Sequence, residues 1–164
     1  MKRIIIHWTA GTYTPNEHEK NCYHYLIAFN PKNNAAYQVN GRFKPEDNLN
    51  CYDGKYAAHT GGGNTGSIGV TLCAMGGYKN ITEVGNYPIR QEQLNLLYKL
   101  CSQLSKKYSI PINSNCILTH YEFGLKNPNT TSKGKIDIVY LPSQPNIICS
   151  NVGDYIRNNI KKYV

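Results

Sequence analysis

The residues with the clearest chemical potential lie in the segment 119–142, THYEFGLKNPNTTSKGKIDIVYLP. A short apolar run predicts a strand that ends near His120, and a loop rich in Asn, Thr, Ser and Gly follows. After this loop the chain is expected to be extended, so that side chains two positions apart share a face. Lys135 and Asp137 would then point to the same place, with Ile136 turned into the protein. A histidine and a carboxylate suit Zn²⁺, and a catalytic zinc site usually has three protein ligands.

Further polar residues lie at the ends of other predicted strands. His7 follows an apolar, β-branched run, Tyr23 begins the alternating segment YHYLIAF, and His59 precedes a glycine-rich loop. In α/β proteins, binding sites form where strands end. A lone histidine at such a place is more often a core residue than a ligand, so the prediction of a site depends on the combination.

The hydrophobic pattern predicts one α/β domain over residues 1–164, with a central mixed β-sheet flanked by helices and the zinc site at the strand ends. Strands are expected over residues 3–7, 23–29, 35–39, 67–73 and 115–118, and helices over residues 14–22, 91–108 and 152–162. Thr14 is the expected N-cap of the first helix, with Pro15 at its first position and Glu17 completing a capping box. Residues 40–56 and 78–88 are expected to be loops.

Composition limits the classes of function. Apolar residues make up 40% and charged residues 17%, which fits a globular domain, and the formal net charge of +8 favours an anionic partner. No dense Lys/Arg run is present, so specific nucleic-acid binding is not expected. No segment approaches the ~20 apolar residues of a membrane span. The apolar run after Met1-Lys2-Arg3 is too short for a signal peptide, so we expect synthesis in the cytoplasm and six reduced cysteines.

The loop HTGGGNTG at residues 59–66 invites comparison with phosphate-binding loops. Its spacing fits neither G-x-x-x-x-G-K-[ST] nor G-x-G-x-x-G. Glycines here are expected instead to let the backbone approach a ligand or pass through a tight turn.

The order of these segments resembles the zinc-dependent N-acetylmuramoyl-L-alanine amidases, the group that includes phage lysozyme-type amidases and peptidoglycan recognition proteins. The matching segments are IIIHWTAG, YHYLI, AAHTGGGNTGSIGVTL, LTHYEFG and GKIDIVYLP, and they span nearly the whole chain in the family's order. The similarity is greatest to the phage and prophage members.

The resemblance implies a role for each matched position. It implies one Zn²⁺ per chain, with the ligands His7, His120 and Asp137. It implies catalytic roles for Tyr23, which would lie over the metal, and for Lys135, which would stabilise the oxyanion. It also places Trp8, His59 and Asn64 along the substrate cleft.

One departure from the family pattern affects the expected mechanism. Some cytoplasmic recycling amidases have a glutamate general base in the S-I-G-x-E-L motif, where this chain has Thr71. A threonine cannot serve as a base at neutral pH. Tyr23, or the zinc-bound water acting with it, is therefore expected to be the acid/base element. The loop between His120 and Asp137 is also longer than in the shorter family members, and it is expected to shape a substrate groove.

The expected function is hydrolysis of the amide bond between N-acetylmuramic acid and L-alanine in peptidoglycan, by a monomeric phage or prophage endolysin that reaches the wall after release. One alternative is a non-catalytic peptidoglycan-binding module of the same fold, although such modules lose the third zinc ligand. Another is a regulatory partner of a polymerase, for which the sequence has no recognisable signal.

Overall fold

A five-stranded mixed sheet forms the centre of the computed structural model, which describes residues 1–164. The strand order is β3-β2-β4-β1-β5, with all neighbouring pairs parallel except the β2–β3 hairpin. The strands are β1 (Arg3–Trp8), β2 (Tyr25–Asn30), β3 (Ala35–Asn40), β4 (Ser67–Leu72) and β5 (Ile117–Thr119). This arrangement confirms the predicted α/β fold with a central mixed sheet.

Four α-helices and one 3₁₀ turn accompany the sheet. The helices are α1 (Glu17–Cys22), α2 (Gln91–Tyr108), α3 (His120–Lys126) and α4 (Ser150–Lys161), and the 3₁₀ turn covers Pro45–Leu49. The bounds of α2 are those predicted from its apolar stripe, whereas α3 and the 3₁₀ turn lie in segments expected to be loop. No helix combines the length and apolar character that crossing a membrane would require.

Alternation along β1 determines where the functional site can form. Ile4 and Ile6 belong to the main core, together with apolar residues of α2 and α4. Ile5 faces the opposite side and packs with Leu118 and Phe123 in a separate small cluster. Since side chains two apart share a strand face, His7 emerges on the Ile5 side, away from α2 and α4.

The predicted start of α1 is wrong by two residues. Asn16 is the N-cap: its Oδ1 accepts a hydrogen bond from the Glu19 backbone N–H at 2.8 Å, and the Glu19 Oε1 accepts from the Asn16 N–H at 3.0 Å. Asn16 and Glu19 have the same spacing as the predicted capping box of Thr14 and Glu17, so the sequence contained two overlapping capping signals.

The predicted inward orientation of Ile136, in the segment Lys135–Asp137, is also wrong, and this segment forms no strand of the sheet. The Lys135 N–H bonds to the Ser132 carbonyl in a turn, and the Asp137 carbonyl accepts from the Tyr121 N–H at the start of α3. These bonds tie the segment to α3 and not to the sheet. Ile136 is consequently 48% exposed, where the sequence prediction had it facing inwards.

A buried ion pair joins α4 to the start of α3. The Arg157 guanidinium donates to both Glu122 carboxylate oxygens at 2.9 Å and to the Ile117 carbonyl at 2.9 Å. Glu122 also accepts from the Thr119 N–H, while Thr119 caps α3. The pair therefore holds the helix turn that begins with His120.

We predict that Arg157→Met destabilises the fold by about 3–5 kcal/mol, because Glu122 would be left buried without a partner. Asp154→Asn is the matched control, because it removes the second carboxylate that contacts Arg157. The Asp154 side chain is 71% exposed, so its loss should lower the unfolding free energy by less than about 1 kcal/mol. Urea unfolding measures both. Equal effects of the two substitutions would contradict the assigned importance of the buried pair.

A second buried group, His24, supports the central strands from the same face as His7. Its Nδ1 accepts from the Gly69 N–H at 2.9 Å and its Nε2 donates to the Asn48 Oδ1 at 2.9 Å. The hydrogen bond that the Nδ1 accepts requires the neutral ring, and burial lowers the pKa of His24 to about 4.

We predict that this histidine makes the fold acid-sensitive. Between pH 6.5 and 4, His24 binds a proton in the unfolded chain, where its pKa is near 6.5, but stays neutral in the folded chain. The contribution of the neutral His24 to the unfolding free energy is complete above pH 6.5 and falls by roughly 2–3 kcal/mol as the pH drops towards 4. In metal-free buffer, the unfolding free energy of the parent should therefore fall more steeply with acid than that of His24→Gln. Parallel pH profiles would refute this assignment.

Candidate metal centre and cleft

Three side chains from distant parts of the chain meet beyond the end of β1. The Asp137 Oδ2 lies 3.0 Å from the His7 Nδ1, and the Asp137 Oδ1 lies 3.2 Å from the His120 Nδ1. All three residues are buried, and their ligand atoms lie within 4.8 Å of one another. β1 supplies His7, the first turn of α3 supplies His120, and the turn bonded to α3 supplies Asp137.

The ionisation of these groups suits metal binding. Burial lowers the pKa of His7 to about 4, so its imidazole is neutral at neutral pH. Burial alone would raise the pKa of Asp137, but its contacts with His120 and His7 outweigh this and lower it to about 2. A neutral imidazole and a charged carboxylate are the forms that bind a metal ion.

The donor set fits Zn²⁺. Zinc–nitrogen and zinc–carboxylate bonds of about 2.0–2.2 Å in a tetrahedron separate ligand atoms by roughly 3.3–3.6 Å. The Asp137 Oδ2 lies 3.0 Å from the His7 Nδ1 and 3.3 Å from the His120 Nδ1, and both distances are close to that edge length. The structure thus brings together the three residues predicted as ligands, in a geometry compatible with the predicted metal.

His120 and Asp137 line a cleft with two hollows, and His7 is fully buried next to them. The first has a volume of about 460 Å³ and the second about 290 Å³. They share His59, His120 and Lys135. The first is additionally lined by Trp8, Ala10, Tyr23, Gly134, Ile136 and Asp137, and the second by Ala58, Thr60, Gly61, Asn64 and Thr131.

The two predicted catalytic residues lie on the walls of this cleft. The Tyr23 ring centre is 5.1 Å from that of His7, and burial together with the nearby Asp137 charge raises the pKa of Tyr23 above its usual value. Its hydroxyl therefore keeps its proton at neutral pH and can donate. Lys135 is exposed where the two hollows meet. Tyr23 lies in the connection between α1 and β2, although the sequence placed it within the strand.

The predicted substrate-binding residues take different positions. Trp8 is buried and stacks at a tilt on Tyr78, with one side on the first hollow. Asn64 borders the second hollow, and its Oδ1 accepts from the backbone N–H groups of His59 and Thr60. His59 borders both hollows but lies mostly behind His7, with its Nδ1 3.2 Å from the His7 Nε2. Substrate contact by these residues stays a prediction.

Two residues at the site were missed by the sequence analysis. Ser132 is fully buried and its Oγ lies 3.0 Å from the His120 Nε2. The Thr60 Oγ1 lies 3.3 Å from the His7 Nε2. Ser132 has no signal in the sequence because it stands among other polar loop residues. Thr60 could have been noticed as the neighbour of His59.

Comparison with known proteins agrees with this arrangement. The chain matches the family model described as N-acetylmuramoyl-L-alanine amidase (Amidase_2) over residues 1–136, a segment that contains His7, His120 and Lys135 and stops one residue before Asp137. No curated protein matches the sequence.

Two solved structures are similar to this chain. A mutant of PlyL has a TM-score of 0.53 and 19% identity, over 98% of this chain and 84% of that chain. The N-acetylmuramyl-L-alanine amidase AmiD from E. coli, in complex with the substrate anhydro-N-acetylmuramic acid-L-Ala-D-gamma-Glu-L-Lys, has a TM-score of 0.47 and 19% identity, over 73% of this chain and 48% of that chain. The PlyL similarity concerns the fold. Because the family model covers most of the sequence, the chain belongs to the N-acetylmuramoyl-L-alanine amidase family.

Proposed function

We propose that this protein is a zinc-dependent amidase that hydrolyses the bond between N-acetylmuramic acid and L-alanine in peptidoglycan. The observation that carries the proposal is the convergence of His7, His120 and Asp137 next to a cleft, in a chain of the amidase family. The three residues would hold the ion and leave one position open to solvent.

When bound, Zn²⁺ supplies a Lewis acid that activates water at neutral pH. The protein's own residues supply the remaining chemistry. Lys135, at the junction of the two hollows, would donate to the oxygen that becomes negative when the lactyl carbonyl is attacked. Tyr23 holds its proton and lies against His7, so its hydroxyl can orient the water or donate to the leaving amine.

The shape of the cleft supports a substrate that extends on both sides of the reacting bond. The amide to be cleaved joins a sugar to a peptide, and each part needs room beyond Lys135. The net charge of +8 favours an anionic wall polymer. We propose that the protein acts on the cell wall as a phage or prophage endolysin.

The decisive experiment is digestion of purified peptidoglycan with and without a chelator, followed by mass spectrometry. We expect stem peptides beginning with L-alanine and glycan chains without peptide, both absent after chelation. Zinc addition should restore them. Asp137→Ala should lose bound zinc and activity together, whereas Asp53→Ala, an exposed aspartate outside both hollows, should behave as the parent.

Three outcomes would count against the proposal. Binding to the wall without any cleavage would indicate a peptidoglycan-binding module. New reducing sugar ends would show that the glycan and not the amide is cut. Full activity after metal removal would refute the zinc dependence.

A separate prediction concerns Lys135. Lys135→Ala should retain zinc but lower kcat about 10²–10³-fold, the usual cost of removing one oxyanion donor. Lys133→Ala is the matched control, because this exposed lysine is two residues away and lines neither hollow. Zinc content and peptide release measure the two effects. An unchanged kcat in Lys135→Ala would eliminate the oxyanion role.

A further inference from the structure

The position of the proton on His120 follows from its neighbours. The Ser132 Oγ donates to the Gly61 carbonyl at 2.7 Å and lies 3.0 Å from the His120 Nε2. A serine hydroxyl has one proton and a carbonyl only accepts. Ser132 must therefore accept from His120, which places the imidazole proton on Nε2 and leaves the Nδ1 lone pair facing Asp137.

Two neighbours, His59 and Thr60, determine the position of the proton on His7. The His59 Nε2 lies 3.4 Å from the Ser67 carbonyl, so this nitrogen carries the proton of the His59 ring, and its Nδ1 is an acceptor. The Thr60 hydroxyl lies 2.7 Å from that Nδ1 and donates to it. The single lone pair of the His59 Nδ1 is then occupied, so the Thr60 Oγ1, 3.3 Å from the His7 Nε2, is the acceptor for His7. The His7 proton is therefore on Nε2, and His59 acts on His7 through Thr60.

These proton positions leave three acceptors facing one another. The Nδ1 atoms of His7 and His120 lie 3.0 and 3.2 Å from the oxygens of Asp137, and no proton remains to be shared between them. Lone pairs at this distance repel unless a cation lies between them. The hydrogen bonds of Ser132, His59 and Thr60 thus leave the Nδ1 lone pairs of His7 and His120 free to bind a metal ion.

We propose that His59 and Ser132 are positioning residues that hold the two histidines in the tautomer able to bind a metal through Nδ1. His59, with Thr60, acts on His7. Ser132, anchored on the Gly61 carbonyl, acts on His120. The inference rests on the metal role proposed above and assigns a function to the glycine-rich loop, residues 59–66, as the outer support of the metal centre.

Two glycines are required for this arrangement. A Cβ on Gly69 would lie 2.5 Å from the His59 ring, so β4 has room for that ring only because position 69 has no side chain. A Cβ on Gly61 would lie within bonding distance of the Thr131 Oγ1, so glycine also permits the loop to reach Ser132. The glycines therefore allow close packing of the supporting residues.

The test measures zinc affinity by competition with a chromophoric chelator. His59→Leu and Ser132→Ala should weaken zinc binding about 10–100-fold, the usual cost of losing a partner of a metal-binding histidine. His59→Asn, whose Oδ1 can stand in for the lost Nδ1 acceptor, should stay within a few-fold of the parent. Ser105→Ala is the matched control, because the Ser105 hydroxyl also donates to a backbone carbonyl, that of Ile110 at 2.6 Å, but lies at the end of α2 and not at the metal centre.

Nitrogen-15 spectra of the zinc-loaded parent provide a readout that needs no substitution. We expect protons on the Nε2 of His7, His59 and His120. A proton on the His59 Nδ1, or zinc affinity in His59→Leu and Ser132→Ala equal to that of the parent, would overturn the inference. Equal losses in His59→Asn and His59→Leu would also overturn it, since they would indicate packing and not hydrogen bonding. A parent that binds no zinc would instead refute the proposed function itself.

Discussion

The burial of the Asp137 carboxylate between two imidazoles is the interaction on which the rest of the site depends. A buried charge is costly unless its partners surround it in good geometry. Asp137 is 8% exposed and its nearest partners, His7 and His120, come from other elements. A cation held by all three residues would compensate this charge, and a small displacement of either element would separate the ligand atoms. The site therefore depends on a rigid frame.

The fold supplies that frame from two directions. β1 lies inside the sheet between β4 and β5, which leaves His7 little freedom. The first turn of α3 is held by the Thr119 cap, and Glu122 in that turn is held by Arg157 of α4. His120 is thus supported on its backbone side by an ion pair and on its ring side by Ser132. Sites built on regular elements in this way hold their geometry more closely than sites built on loops.

The sequence predicted those parts of the molecule that depend on local periodicity. The bounds of α2 followed from its apolar stripe and from Pro111, and the central strands β1 and β4 followed from their β-branched runs. His7 and His120 could be proposed because they follow such runs. Asp137 was assigned correctly to the same place, but for the wrong local reason, because a turn and not a strand carries it. Ser132, which supports His120, is anchored on the Gly61 carbonyl, 71 residues away in the sequence, and no local pattern encodes such a contact.

Thr71 determines which side chains of the cleft remain available for the proposed reaction. It lies beside His7 in the β1–β4 register, it is fully buried, and its Oγ1 has no hydrogen-bond partner. A threonine there cannot act as the base that a glutamate provides in some relatives. His59 has both ring nitrogens engaged within the protein. The proposed mechanism therefore assigns the chemistry to the Tyr23 hydroxyl and the Lys135 ammonium, which both line the cleft. Both groups donate hydrogen bonds, so the proposed mechanism depends on stabilisation of negative charge and not on removal of a proton by a side chain.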